Sequence, residues 1–237
     1  NQKISMQITQ CKVKKIESLT DSIKRVVLIP GSPLSFIAGQ YLQVVMGEND
    51  KRPFSIANAP RADGTIELHI GAEPGNHYAG QVLERMMKDS QIKVEGGLGE
   101  AYLNQPTAQS TILLAGGTGF SYTLSILQQL LHKPLIAPVI LYWGTRTIND
   151  MYAFNELCSL AKKHPFFTFI PVVELPEKDW AGKTGWVHQA VLEDIQDMST
   201  YQVYVAGRFE MAKVVRDDFV KQGLPITSLF GDAFAFI

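Results

Sequence analysis

The densest group of residues able to do chemistry is Leu113-Leu114-Ala115-Gly116-Gly117-Thr118-Gly119-Phe120-Ser121. Glycines, lacking Cβ, let a backbone come close to an anion, and the first N–H groups of a following helix have no intrahelical partner and point at it. A pyrophosphate suits such a turn. The third glycine of the full dinucleotide fingerprint is missing after Gly117-x-Gly119, so a turn that merely lets a helix pack closely on a strand is the alternative. Thr118 can donate its hydroxyl to a phosphate or cap the helix with Ser121. Two arginines extend the theme. Arg146 follows Trp143-Gly144-Thr145, where an NAD-selective site usually offers a carboxylate to the ribose and a cation suits a 2′-phosphate instead. Arg208, in Ala206-Gly207-Arg208-Phe209, opposes the dipole of the helix it starts and so points to a bound anion. A solvated surface charge is the alternative for each.

These residues need a scaffold, and the second half of the chain predicts one. Apolar runs at Thr111 to Ala115, Val139 to Trp143, Phe166 to Val173 and Gln202 to Ala206 alternate with helical periodicity at Tyr122 to Leu131, Met151 to Lys162, Val187 to Ile195 and Phe209 to Lys221. Such alternation predicts a mostly parallel sheet covered on both faces, with ligands at the carboxyl ends of its strands. The loops at those ends are Gly116 to Gly119, Gly144 to Arg146, Glu174 to Pro176 and Gly207 to Phe209. Three of the four carry glycine, which favours the nucleotide reading over the packing one.

The first half reads differently. Short β-branched runs at Met6 to Ile16, Ile23 to Ile29, Tyr41 to Met46, Phe54 to Ile56, Thr65 to Ile70 and Gln91 to Val94 are split by Pro30-Gly31, Gly47-Glu48-Asn49-Asp50 and Ala62-Asp63-Gly64. That spacing predicts a small antiparallel barrel, capped by one helix over about Tyr78 to Lys88. The polar connection Asn104 to Gln109 sets the expected boundary, with one domain over 1–104 and a second over 105–237.

The bulk numbers exclude several classes. The chain has 237 residues, 46% hydrophobic and 19% charged, with 22 basic against 23 acidic side chains. A net charge of -1 gives no electrostatic case for nucleic acid or an anionic membrane. Cys11 and Cys158 are isolated, so no metal site or iron–sulfur cluster is expected and both read as small hydrophobes of a reducing compartment. No signal peptide or membrane-length apolar span is visible, and the cytoplasm is the expected location.

Arg52-Pro53-Phe54-Ser55, Gly116-Gly117-Thr118-Gly119 and Ala206-Gly207-Arg208-Phe209-Glu210-Met211, in that order and spacing, resemble the ferredoxin–NADP reductase superfamily. Ala38-Gly39-Gln40-Tyr41, Glu67-Leu68-His69-Ile70-Gly71 and the tail Leu229 to Ile237 resemble, within it, the bacterial NAD(P)H:flavin oxidoreductases, free-flavin reductases with relatives that supply luciferase in luminous bacteria. The resemblance implies a six-stranded flavin-binding barrel, then a Rossmann-like NAD(P)H-binding α/β domain whose tail returns towards the flavin. It implies hydride transfer from NADPH or NADH to riboflavin, FMN or FAD. Reduced flavin would then serve a luciferase, a monooxygenase or ferric complexes.

By the same resemblance Ser55 donates a hydrogen bond near flavin N5, and Asp232 contributes a carboxylate there. Arg52 faces the flavin side chain or ring oxygens, with a barrel-surface ion pair as its alternative. Pro53 and Phe54 offer an apolar face, or barrel core. His69, Ile70 and Gly71 meet the pyrimidine edge chiefly through backbone, and Tyr41 stacks near the ring or fills the barrel. Gly207, Arg208 and Phe209 border the nicotinamide half, and Phe234 or Phe236 the ring, unless these two alternate in a final strand. Members that keep FAD carry a Gly-x-x-Ser/Thr turn where this chain has Pro74-Gly75-Asn76-His77-Tyr78, which favours flavin as a passing substrate. Ala206 stands where many members carry cysteine. An FAD-holding reductase serving a separate protein, and a non-catalytic nucleotide sensor, are the rival readings.

Overall fold

A computed structural model describes residues 7–72, 74–104 and 108–237. Met6 and residues 105–107 of the expected connection lie outside the described residues. The chain divides into two units, one of residues up to Leu103 with Leu124–Gln129, the other of Asn104–Thr123 with Leu130–Ile237.

The first unit is a six-stranded antiparallel sheet of β1 (Gln7–Ser18), β2 (Ile23–Pro30), β3 (Tyr41–Gly47), β4 (Asp50–Ser55), β5 (Ile66–Gly71) and β6 (Gln91–Leu98), in the order β4-β3-β6-β1-β2-β5. Alternation turns Val26, Leu28, Leu42, Val44, Ile66, Leu68, Ile70, Ile92 and Val94 into one buried cluster, as a half-buried sheet requires. Just past β4 the backbone N–H of Ala57 donates to Glu67 O at 2.8 Å. Glu67 N–H in turn donates to Asn58 Oδ1 at 2.7 Å, so the two outer strands meet and the barrel closes. Helix α1 (His77–Asp89) lays Val82, Leu83 and Met86 on the same cluster, and the Asn76 side chain caps it by accepting from Ala79 N.

Two strands run longer than their apolar pattern. β4 begins at Asp50 because Gly47 and Asp50 pair across a tight hairpin. The consequence is that Arg52 to Ser55 lie together on one outer strand, where exposed Pro53 is tolerated without a ladder donor. β6 continues through Gly96 and Gly97, where a Cβ would meet Leu42 Cβ at 2.9 Å and Phe36 Cβ at 2.6 Å. Close approach, not β-propensity, selects those residues.

The second unit carries six parallel strands, β7 (Ser110–Gly116), β8 (Val139–Thr145), β9 (Phe167–Val173), β10 (Lys183–Thr184), β11 (Tyr201–Ala206) and β12 (Leu229–Phe230), in the order β10-β9-β8-β7-β11-β12. Helices α2 (Phe120–Leu130), α3 (Phe154–Lys163), α4 (Val187–Asp194) and α5 (Phe209–Lys221) connect them. β10 and β12 have two residues each, too few to leave a pattern. The chain steps from β7 to β8 and β9, then returns to β11 on the other side of β7. That reversal makes the carboxyl ends of β7 and β11 a topological switch point, the place where open α/β sheets bind ligands. The tail is not a strand at Phe234 and Phe236: Asp232–Ala235 form a 3₁₀ turn, Phe234 packs against the second unit's own buried cluster, which includes Val203, Val205 and Leu229, and Phe236 is 77% exposed.

Candidate functional site

The switch point is built from glycine. Gly116 ends β7 in extended conformation, Gly117 takes φ +56°, and Gly117–Gly119 form a 3₁₀ turn leading into α2. A Cβ on Gly119 would stand 2.4 Å from Ala206 O and 2.6 Å from its carbonyl carbon, so the turn after β7 and the end of β11 touch backbone to backbone. Close backbone packing is what Gly119 serves here. Trp143 fixes the turn from beneath: its Nε1 donates to Gly117 O at 2.9 Å, its ring stacks on Phe120 at 4.0 Å, and Tyr152 meets it edge-on. No sequence motif announces that role. Thr118 is exposed, and among the described residues its hydroxyl has no partner, so it does not cap the helix.

Three loops at the neighbouring strand ends are laced together by backbone. Glu174 N–H donates to Thr145 O at 3.0 Å, Leu175 N–H to Arg146 O at 2.8 Å, and Gly185 N–H to Val173 O at 3.1 Å. They frame a cleft of about 520 Å³ lined by Arg146, Glu174, Leu175, Gly185, Trp186 and Arg208. The two arginines singled out separately in the sequence thus share one cleft. Trp186 and Glu174 join them unforeseen: Trp186 is 60% exposed, and its Nε1 donates to Glu174 Oε1 at 3.1 Å. Gly207 and exposed Phe209 flank Arg208, and Phe209 meets Phe236 edge-on at 6.2 Å. Asp232 is half-buried, and burial pushes its carboxyl up to about 6.

In the barrel unit, Ser55 is half-buried at the end of β4 and pairs in register with half-buried Tyr41. Arg52 is 9% exposed and spans Asp50 with both arms, Nε at 2.9 Å and Nη2 at 2.8 Å, while Nη1 donates to Tyr78 O at 2.7 Å. Its guanidinium also lies over the Tyr78 ring, 4.9 Å from the centroid. The ion pair is the arrangement the side chain adopts here, and the hydrogen bonds from Arg52 hold the Asp50 carboxyl below its ordinary value. Phe54 packs against the barrel core, and Ile70 is fully buried within it. His69 is half-buried on β5, and burial lowers its imidazole to about 4, so it is neutral near neutral pH. Gly71 closes the strand, half-buried.

The fold and these sites together define a two-module oxidoreductase. Residues 10–102 match the oxidoreductase FAD-binding domain and residues 113–217 the oxidoreductase NAD-binding domain. The ferredoxin reductase in carbazole 1,9a-dioxygenase superposes with a TM-score of 0.83 over 98% of this chain and 70% of its own, at 22% identity, a likeness of fold alone. The NAD(P)H-flavin reductase of Aliivibrio fischeri is 48% identical over 96% of this chain and 98% of its own, and that of Vibrio harveyi 45% identical over 96% and 99%. The chain belongs to the NAD(P)H-flavin reductase family.

Proposed function

We propose that the chain catalyses hydride transfer from NADPH or NADH to riboflavin, FMN or FAD, with the flavin arriving and leaving as a substrate. The observation that carries the nucleotide half is the switch point, where a glycine turn too close-packed for any Cβ at Gly119 adjoins a cleft holding Arg146 and Arg208. Those residues fit a dinucleotide: backbone N–H groups for a pyrophosphate and cations for the outer phosphate, with Arg208, expected beside the nicotinamide half, assigned instead to the outer phosphate because its side chain lines the cleft with Arg146. Nicotinamide and flavin supply the redox chemistry. The chain's own part is to hold the two rings in reach of one another and to hydrogen-bond the acceptor.

Ser55 is the group proposed to donate to the flavin ring as it gains electrons, with Tyr41, Pro53, Phe54 and the backbone of His69, Ile70 and Gly71 bordering it. Arg52, already clamped on Asp50, presents a fixed charge to that strand. Asp232 keeps a proton at its carboxyl below about pH 6 and is the proposed carboxylate near the reacting ring. Free exchange of flavin is supported by Pro74-Gly75-Asn76-His77-Tyr78, which lacks the Ser/Thr hydroxyl of the Gly-x-x-Ser/Thr turn that FAD-holding members carry, and where Asn76 instead caps α1. Reduced flavin would pass to a luciferase, a monooxygenase or a ferric complex. Among the described residues no helix is long and apolar enough to cross a membrane, and the proposed location is the cytoplasm.

Absorbance of the purified protein, followed by NADPH and NADH oxidation with and without riboflavin or FMN, tests this reading. A colourless protein that turns over only with added flavin is expected. A yellow protein that keeps its flavin and needs a second protein for turnover overturns the substrate reading in favour of an electron-transfer module.

A further inference from the structure

Of the seven arginines in the sequence, five reach an acceptor: Arg25 on Glu17 and Glu67, Arg52 on Asp50, Arg61 on Glu67, Arg85 on Met46 O and Arg216 on Asp217. Among the described residues Arg146 and Arg208 have none, and both line the same cleft. Their shared cleft also contains a carboxylate, Glu174, that stands in ion-pair contact with neither. Glu174 is instead held by the Trp186 indole, Nε1 to Oε1 at 3.1 Å, a charge-assisted bond that fixes the acid on the tryptophan side. Backbone bonds from Glu174 and Leu175 to Thr145 and Arg146 lock the two loops in this arrangement. Acid and cations are thus presented separately to whatever enters.

An adenosine ribose offers two chemistries at this point. A free 2′-hydroxyl is a donor that suits a carboxylate, whereas a 2′-phosphate is an anion that suits arginine. The loop after β8, which usually carries the acid, carries Arg146 here, and the acid comes from the loop after the next strand. We propose that Glu174 is the residue by which this cleft discriminates between NADH and NADPH, resting on the reading of the second unit as the nicotinamide-nucleotide unit. Its carboxylate accepts from the 2′-hydroxyl of NADH and repels the 2′-phosphate that Arg146 and Arg208 attract. Trp186 holds the acid in place and offers an exposed aromatic face for the adenine.

Calorimetric binding of NAD+ and NADP+ to the protein without flavin tests this. Glu174→Gln keeps an oxygen acceptor for Trp186 and removes only the charge, and Glu174 is exposed on a loop, so the fold is spared. The variant should bind NADP+ about fivefold more tightly and NAD+ about fivefold more weakly than the parent. Arg146→Ala should weaken NADP+ about tenfold and NAD+ much less. If Glu174→Gln moves both affinities equally or neither, while Arg146→Ala stays selective for NADP+, Glu174 is not the discriminator although the cleft still takes nucleotide. If Arg146→Ala and Arg208→Ala leave both affinities unchanged, the cleft is not a nucleotide site, and the proposal fails together with the reading beneath it.

Discussion

Ser55 and Asp232 are the side chains on which the proposed chemistry can be tested one atom at a time. Removing the Ser55 hydroxyl takes away a donor without opening the barrel core, because the residue is only half-buried at a strand end. Ser55→Ala is expected to lower kcat about tenfold or more while the KM for flavin changes little, the pattern of an interaction made in the transition state. Unchanged turnover removes it from the mechanism. Asp232 gives a pH-dependent signature. Burial raises its carboxyl from 3.8 to about 6, so over that interval the folded state holds a proton that the unfolded chain has released. The contribution of Asp232 to stability is therefore most favourable below about pH 4 and is lost as pH rises through about 6. Asp232→Asn should gain on the order of 1–2 kcal/mol relative to the parent at about pH 7.5 compared with about pH 4, read from urea midpoints. A pH-independent difference would mean that the carboxyl is not buried as described.

At the scale of elements, the turn between β7 and α2 is the place where a single methyl group should do most damage. Gly119 meets the carbonyl of Ala206, which is backbone and cannot rotate aside, so Gly119→Ala must push the start of α2 away from the end of β11. The expected cost is about 2–4 kcal/mol in urea unfolding, with a raised KM for NADPH and an unaltered KM for flavin in the protein that remains folded. Turns, helices and most strands were legible because apolar runs and period-3.6 patterns mark elements such as β7 and α5 almost residue for residue. β10, β12 and the 3₁₀ turn at Asp232–Ala235 were not legible, since two to four residues fix no period and their conformation follows from what they pack against.

For the molecule as a whole, the proposed division of labour has a measurable form. Ser55 belongs to one unit and Arg146 to the other. Their single-variant losses in kcat/KM with NADPH should multiply in the double variant to within about a factor of two, as for sites that share no partner. A markedly smaller combined loss would show that the two residues act on one step together.

Periodicity, turn chemistry and spaced motifs are local properties, so the two-part architecture, the glycine turn and the family were readable along the chain before any packing was known. So were Arg146 and Arg208, each by its place after a strand. That these two arginines share a cleft, that Glu174 and Trp186 complete it, and that Trp143 holds the glycine turn follows from packing alone. Those relations join residues far apart in the chain through the order of parallel strands, which sets the ends of β7, β8, β9 and β11 side by side. Packing decided the state of Arg52 as well, since its partners Asp50 and Tyr78 come together only where the hairpin of β3 and β4 meets the start of α1.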